Sequence, residues 1–293
     1  MVSEDVRREV RRLQVRARRR VQGLFAGNSL SAFKGRGIEF AEVREYEPGD
    51  DVRTIDWNVS ARTGRTHIKR FIEERELTVL LACDVSASSG FASEGRLKRR
   101  VAAEVGTTLA LAATRHNDRV GAVLFTDRVE RFIPPRKGQR HVLRLSSDLL
   151  GFEPLGRGTN LRAAIEFVGR VQRRRALVFV VSDFLGEVRD VDLRMLAGRH
   201  EVIAVRVLDR REREIPPIGL VRVRDPETGR ERLADFTASG ARAYALARAE
   251  ADARVAASLS RSGIDRLDVG TEMDLAPALM RFFRARDRRR IPA

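Results

Sequence analysis

Three polar segments of the sequence carry side chains with oxygen atoms that could hold a metal ion. Asp84 comes directly after one apolar run, Asp183 comes after another, and Thr159 lies in a Gly-Thr-Asn segment between them. Carboxylate and hydroxyl oxygens in near-octahedral geometry are typical ligands of Mg²⁺ and Mn²⁺, and two carboxylates are too few for a tight calcium site. The sequence therefore predicts a Mg²⁺ or Mn²⁺ site. Its predicted ligands are Asp84, Ser86, Ser88, Thr159 and Asp183.

These polar segments belong to an alternation of apolar strands and amphipathic helices. Apolar runs at 77–83, 120–125 and 176–181 are typical of strands buried on both faces, and helical periodicity predicts helices between them. This pattern predicts an α/β sheet with helices on both faces. Ligands of open α/β sheets bind beyond the carboxyl ends of the strands, near the point where the strand order reverses. We therefore expect the three polar segments to meet at one edge of the sheet.

The Asp-x-Ser-x-Ser spacing is a weak signal by itself. A loop that caps the next helix uses the same residue types. Its position directly after a buried strand favours the metal site over the helix cap, since Thr159 and Asp183 stand at the next two places from which such a site would draw.

Composition and periodicity divide the chain into three segments. Residues 1–25 place apolar residues at three- and four-residue steps on an otherwise arginine-rich helix. Residues 26–73 form a small β-rich unit with a dense group of turn formers. Residues 74–293 form the α/β domain, which includes a predicted hairpin at about 218–235 and a strand at 129–133 that ends at two prolines.

Bulk composition excludes several classes of protein. The 293 residues carry a net charge of +16 and one cysteine, Cys83, which excludes an intrachain disulfide and a cysteine metal cluster. No apolar run approaches the ~20 residues of a membrane helix, and no signal peptide begins the chain. We therefore expect a cytoplasmic protein without a membrane span. Only four of the 57 basic residues are lysine, a bias that a skewed genome composition also produces.

Two resemblances to known proteins rest on these residues. The run from Asp84 to Ser88, with Thr159 and Asp183, resembles the metal-ion-dependent adhesion site of von Willebrand factor type A domains. The segments G-R-G-I-E-F at 35–40 and R-E-Y-E-P-G-D-D-V-R-T-I-D-W at 44–57 resemble the domain-of-unknown-function 58 family. The residues that we single out in the second pattern are Arg44, Tyr46, Gly49, Asp50, Asp51, Arg53, Asp56 and Trp57.

The resemblance implies a von Willebrand factor A-like (Rossmann-like) sheet and a non-catalytic role. Members of the family are usually encoded beside a MoxR-type AAA+ ATPase, so the chain is expected to be its adaptor or substrate-recognition partner. A metal bound at such a site would attract an acidic side chain of a protein partner. Two departures stand out: many relatives carry two N-terminal membrane spans that this chain lacks, and Ser89 stands where such sites often have methionine.

Two other functions remain open. A Mg²⁺-dependent phosphatase or nuclease would use the same oxygen ligands, but an aspartyl-nucleophile enzyme wants a carboxylate where Ser86 stands, and neither a Gly-x-Ser-x-Gly elbow nor a Gly-Lys pair occurs. Nucleic-acid binding would use the ends, since residues 1–25 and 281–293 each carry a net charge of +5. The scarcity of tryptophan and tyrosine disfavours it.

The segment from Arg44 to Trp57 also has two interpretations. It forms either a second interaction surface or a clasp on the metal edge, or else it is a turn-rich β unit. In the second case its arginines and aspartates pair internally and Trp57 packs on the α/β core.

Overall fold

The computed structural model describes residues 4–26, 43–52, 55–69 and 76–290. It divides into two compact units, one of residues 34–76 and one of residues 1–33 and 77–293. The G-R-G-I-E-F segment at 35–40 and Arg53 lie outside the described residues.

The described elements of the larger unit alternate between strands and helices, as the sequence predicts, whereas the smaller unit contains a helix, Trp57–Thr63, that the sequence does not predict. In chain order they are α1 (Glu4–Ala26), β1 (Val43–Glu45), α2 (Trp57–Thr63), β2 (His67–Lys69), β3 (Thr78–Asp84), α3 (Lys98–Arg115), β4 (Arg119–Phe125), β5 (Val129–Arg136), α4 (Gln139–Gly151), α5 (Leu161–Val171), β6 (Leu177–Ser182), α6 (Asp190–Arg199), β7 (Glu201–Leu208), β8 (Gly219–Arg224), β9 (Glu231–Phe236), α7 (Ala238–Arg261), β10 (Asp265–Gly270) and α8 (Leu275–Arg290).

The larger unit is built on a six-stranded sheet in the order β10-β7-β6-β3-β4-β5. All neighbouring strands are parallel except β4 and β5. From β3 the chain adds β4 and β5 on one side and then crosses to β6 on the other, so the strand order reverses between β3 and β6. Doubly wound sheets bind ligands at this switch point. The predicted α/β sheet is confirmed.

Helices cover both faces of the sheet and form two hydrophobic cores. Alternate residues of β3 point to opposite faces, so Leu81 and Cys83 contribute to one core while Leu80 and Ala82 contribute to the other. The first core is completed by α1, α3, α4 and α8, and the second by α5, α6 and α7. Burial on both faces explains why the central strands are continuous apolar runs in the sequence.

The edge strand β5 differs from the prediction. The sequence predicts a strand at 129–133 that stops before Pro134, but β5 includes both Pro134 and Pro135 and ends at Arg136. An edge strand tolerates proline because one side of it has no partner strand. The pairing with β4 shifts register opposite the prolines. Gly121 lies at this shift, where a Cβ atom would be 2.9 Å from the nitrogen of Pro135, so the strands approach closely only without a side chain.

The terminal helices dock through apolar faces, as the sequence predicts. The buried apolar residues are Val10, Leu13, Ala17 and Val21 in α1 and Leu275, Ala278, Leu279 and Phe283 in α8. The arginines of these helices are not all exposed, and one exception is Arg286 in α8. Its side chain is buried, and it donates to Glu201 at 2.5 Å and lies 2.8 Å from Asp265. Two carboxylates at the starts of neighbouring strands neutralise this arginine.

Cys83 is expected to be chemically inert in the folded protein. It lies inside β3 and is 1% exposed, and burial, together with the charge of Asp84, raises the pKa of its thiol to about 12. The thiolate is the reactive form. A thiol-specific reagent should therefore leave the native chain unmodified at neutral pH and modify one cysteine per chain in denaturant. Rapid modification of the native chain would contradict the burial of this residue.

Candidate metal centre

The predicted ligands Asp84, Ser86 and Ser88 lie where β3 ends and turns away from the sheet. Asp84 is the last residue of β3, and a short 3-10 turn at Ala87–Gly90 follows it. The backbone N–H of Ser86 donates to Oδ1 of Asp84 at 2.9 Å, which folds the loop back over the strand end. Side chains of all three residues are less than a tenth exposed, so the loop presents them inward.

The structure brings all five predicted ligands together. The hydroxyl oxygens of Ser86 and Ser88 are 3.1 Å apart, and Ser88 donates to Oδ2 of Asp183 at 3.0 Å. On the other side, Oγ1 of Thr159 lies 3.5 Å from Oδ2 of Asp84. The predicted meeting of three polar segments at one sheet edge is confirmed, while the role of these residues as ligands stays a prediction.

The loop that carries Thr159 is held by hydrogen bonds at several points. Glu130 of β5 accepts from the backbone N–H of Gly156 at 2.7 Å, and the N–H of Asn160 donates to the carbonyl of Thr126 at 2.8 Å. The carbonyl of Arg157 accepts from the N–H of Ala87 at 2.9 Å. These contacts join the loop to the turn after β4, to β5 and to the Asp-x-Ser-x-Ser loop, so the backbone that carries Thr159 is held in place by its surroundings.

Three residues that the sequence analysis did not single out as ligands also belong to the site. Ser182 donates to Oδ2 of Asp84 at 2.8 Å. Lys98, at the start of α3, donates to Oδ2 of Asp183 at 2.7 Å and to Glu212 at 2.5 Å. Composition offers a signal for Lys98, since it is one of only four lysines in an arginine-rich chain. Glu212 carries no comparable signal, because the sequence does not reveal that its turn returns to α3.

The electrostatics of the two carboxylates differ. Burial and the charge of Asp183 raise the pKa of Asp84 to about 6, against the opposing hydrogen bonds from Ser86 and Ser182. Burial lowers the pKa of Lys98, but the charges of Asp183 and Glu212 raise it by more, so its net pKa lies above the ordinary value. Asp183 therefore has a buried cationic partner. Asp84 has no ion pair within the described part of the chain.

The donor set fits a small divalent cation. Oxygens at adjacent corners of a Mg²⁺ octahedron lie about 3.0 Å apart when each is about 2.1 Å from the ion. The Ser86–Ser88 and Ser88–Asp183 separations of 3.1 and 3.0 Å match this spacing. Within residues 4–26, 43–52, 55–69 and 76–290, no three His, Cys, Asp or Glu side chains are placed to hold a metal by themselves. A metal ion at this position would therefore need the hydroxyl oxygens as ligands.

The segment from Arg44 to Trp57 lies in the smaller unit and pairs internally. Arg44 donates to Asp50 at 2.6 Å, and Asp56 caps α2 by accepting from two backbone N–H groups of its first turn. Gly49 adopts a φ of +112° in the turn between these residues, a conformation that favours glycine. Internal pairing agrees with the turn-rich β unit. Within this smaller unit the side chain of Trp57 is exposed, and its packing on the α/β core stays a prediction.

The remaining residues of this segment differ in exposure. Tyr46 is half-buried, and its backbone N–H donates to the carbonyl of Thr66 at 2.8 Å. Asp51 is exposed. The interaction role of this segment stays a prediction.

The order of the six strands, with helices on both faces of the sheet, is that of a von Willebrand factor A-like α/β fold, and the five predicted ligand residues lie at its switch point. The chain belongs to the family described as "Protein of unknown function DUF58", which it matches over residues 42–255. It is 33% identical to the uncharacterized protein Rv1480 of Mycobacterium tuberculosis strain H37Rv, over 95% of this chain and 89% of that protein.

Solved structures that are similar to this chain share little sequence with it. An aerotolerance-related membrane protein from Bacteroides fragilis is 16% identical with a TM-score of 0.49, covering 73% of this chain and 99% of that one. The SpRpn10 VWA domain is 11% identical with a TM-score of 0.38, covering 70% of this chain and 93% of that one. Among the described helices of the present chain, none is long and apolar enough to cross a membrane.

Proposed function

We propose that this chain is a non-catalytic protein-interaction module that depends on Mg²⁺ or Mn²⁺. The observation that supports the proposal is the chain of contacts that joins Ser86, Ser88 and Asp183 at the switch point, with Asp84 and Thr159 beside it. A bound ion would supply an electrophilic position that attracts an acidic side chain of a protein partner. Hydroxyl ligands favour this chemistry because they leave the charge of the ion incompletely neutralised.

Each residue of the site has a defined part in this proposal. Asp84 and Asp183 supply the negative charge, and the hydroxyls of Ser86, Ser88 and Thr159 supply neutral oxygens. Lys98 neutralises part of the charge on Asp183 through their 2.7 Å contact. Ser182 orients Asp84 by donating to the oxygen that Thr159 also approaches. The side chains of the site are mostly buried.

The proposed partner is a MoxR-type AAA+ ATPase, for which this chain would be an adaptor or a substrate-recognition subunit in a cytoplasmic complex. The family resemblance supports this partner. The sequence has no Gly-Lys pair and hence no P-loop, so any ATP hydrolysis must come from another protein.

Retention of the ATPase on the immobilised chain tests both parts of the proposal. We expect the MoxR-type ATPase encoded in the same genome to be retained in Mg²⁺ and released in EDTA. Ser86→Ala should weaken retention in Mg²⁺, while Ser89→Ala, outside the predicted ligand set, should not. Equal retention in Mg²⁺ and EDTA would contradict the metal dependence. A lack of retention in both buffers would contradict the choice of partner.

Turnover assays test the non-catalytic part. Generic phosphomonoester and nucleic-acid substrates, incubated with the chain and Mn²⁺, should stay intact. Hydrolysis that disappears in Asp84→Ala would instead support the phosphatase or nuclease function.

A further inference from the structure

Glu227, at the tip of the β8–β9 hairpin, contacts the candidate metal centre. Its Oε1 accepts from Oγ1 of Thr159 at 2.9 Å. A Cβ atom at Gly158 would lie 3.7 Å from the second carboxylate oxygen, so this carboxylate rests against the loop of a predicted ligand. The hairpin is more than sixty residues further along the chain, and its side chains are otherwise largely exposed.

The structure of the turn holds Glu227 in this position. Asp225 accepts from the backbone N–H of Glu227 at 2.9 Å and from the hydroxyl of Thr228 at 2.7 Å. The N–H of Gly229, which has a φ of +71°, donates to the carbonyl of Asp225 at 2.8 Å. Hydrogen bonds from an aspartate side chain to residues just after it are typical of Asx turns, which fix the local backbone without contacts to other segments. The turn therefore holds the half-buried carboxylate of Glu227 in a fixed position.

Two carboxylates approach the hydroxyl of Thr159. Glu227 and Asp84 have no ion-pair partner in the part of the chain that the structure describes, although the protein has 57 basic residues. The Thr159 hydroxyl lies 2.9 Å from Glu227 and 3.5 Å from Asp84, and its single proton serves one of them at a time. A partly buried pair of carboxylates around one hydroxyl is stabilised by a positive ion that binds both.

We propose that Glu227 is a further ligand of this metal centre, and that metal binding holds the hairpin tip closed over the site. This inference rests on the proposed metal dependence. Glu227 would take the sixth position of a Mg²⁺ octahedron beside the five predicted ligands, so the acidic side chain of a partner would have to displace it. Because the tip and the ion would stabilise each other, linkage requires that closure strengthens metal binding by the same factor as the metal strengthens closure.

Limited proteolysis tests whether the hairpin tip is held closed, because the rate of cleavage in the turn depends on its exposure. Trypsin cleaves after arginine, and Arg230 is exposed at the end of the turn. We expect Mg²⁺ to slow cleavage after Arg230 about fivefold or more, the lower range of typical coupling between sites. Cleavage after Arg173 and Arg174, in the loop between α5 and β6 at the opposite edge of the sheet, is the internal reference and should not respond to Mg²⁺.

Calorimetric titration with Mg²⁺ provides the second readout. Glu227→Gln should remove the protection of Arg230 and weaken Mg²⁺ affinity by about the same factor as the lost protection. Glu231→Gln is the matched control, since Glu231 lies on the stem of the same hairpin, 3.8 Å from Arg222. It should leave both readouts unchanged.

The outcomes separate this inference from the proposal on which it rests. Mg²⁺ binding that depends on Asp84 but is unchanged in Glu227→Gln, or that leaves Arg230 unprotected, overturns the role of Glu227 alone. Absence of Mg²⁺ binding by the unaltered chain overturns the metal centre, and the role of Glu227 with it. Asp84-dependent binding with equal losses of affinity and protection in Glu227→Gln supports both.

Discussion

Asp84→Asn is expected to abolish Mg²⁺ binding and, at neutral pH in EDTA, to make the protein more stable. The carboxylate of Asp84 is 5% exposed and lies near the charge of Asp183, and these two causes raise its pKa to about 6. Ionisation of Asp84 therefore costs stability in the metal-free fold. Asparagine has nearly the same shape without the charge, so the cost disappears, and we expect a gain on the order of 1–3 kcal/mol in the free energy of unfolding.

The pH dependence of this gain has a definite sign. A carboxyl group whose pKa is raised on folding binds a proton more readily in the folded state, so stability falls as pH rises from the ordinary value to about 6 and then levels off. Urea denaturation of the unaltered chain in EDTA should show this fall, and Asp84→Asn should lack it. Asp127→Asn is the control, since hydrogen bonding by Arg128 lowers the pKa of that exposed carboxyl. A destabilised Asp84→Asn chain at pH 8 would contradict the prediction.

Lys98→Met is expected to cause the largest loss of stability among the substitutions considered. Lys98 is 2% exposed and contacts Asp183 at 2.7 Å and Glu212 at 2.5 Å. Removing one partner of a buried ion pair leaves the other charge uncompensated, which typically costs about 3–5 kcal/mol. Denaturation in EDTA measures the loss, and Arg99→Met, an exposed position on the same helix, should lose far less.

Two further measurements test whether the stability lost in Lys98→Met comes from the carboxylates that it leaves uncompensated. The double variant Lys98→Met, Glu212→Gln removes one of the uncompensated carboxylates and should recover part of the stability. Mg²⁺ should also recover part of it in Lys98→Met, because an ion beside Asp183 replaces the missing positive charge. A loss below about 1 kcal/mol in Lys98→Met, the range of exposed ion pairs, would contradict a buried network.

The sequence predicts the strands and helices that carry the site, because these elements depend on local patterns of apolar and polar residues. The apolar runs that end at Asp84 and near Asp183 are long enough to identify central strands, and parallel strands necessarily bring their carboxyl ends to one edge. Helices on both faces follow from the same alternation. The position of Thr159 could be predicted because it lies directly before a helix whose apolar face is plain in the sequence.

The parts that the sequence does not predict depend on contacts between distant segments. Lys98 lies 85 residues from Asp183, and Glu227 lies 68 residues from Thr159. Neither separation has a local signature, since a charged residue at a helix start or in a hairpin turn is ordinary at the surface. The burial of Arg286 has no local signature for the same reason. Its carboxylate partners stand at the starts of two strands, where the sequence gives no sign that a helix crosses.

The two prolines of β5 affect how copies of this chain can associate. Pro134 and Pro135 have no backbone N–H, so neither can donate to a strand on either side. The register shift opposite Gly121 accommodates them in the pairing with β4. On the free side of β5, this stretch interrupts the row of donors that a strand from another molecule would need for pairing. This border of the sheet is therefore protected against continuous extension by β-addition.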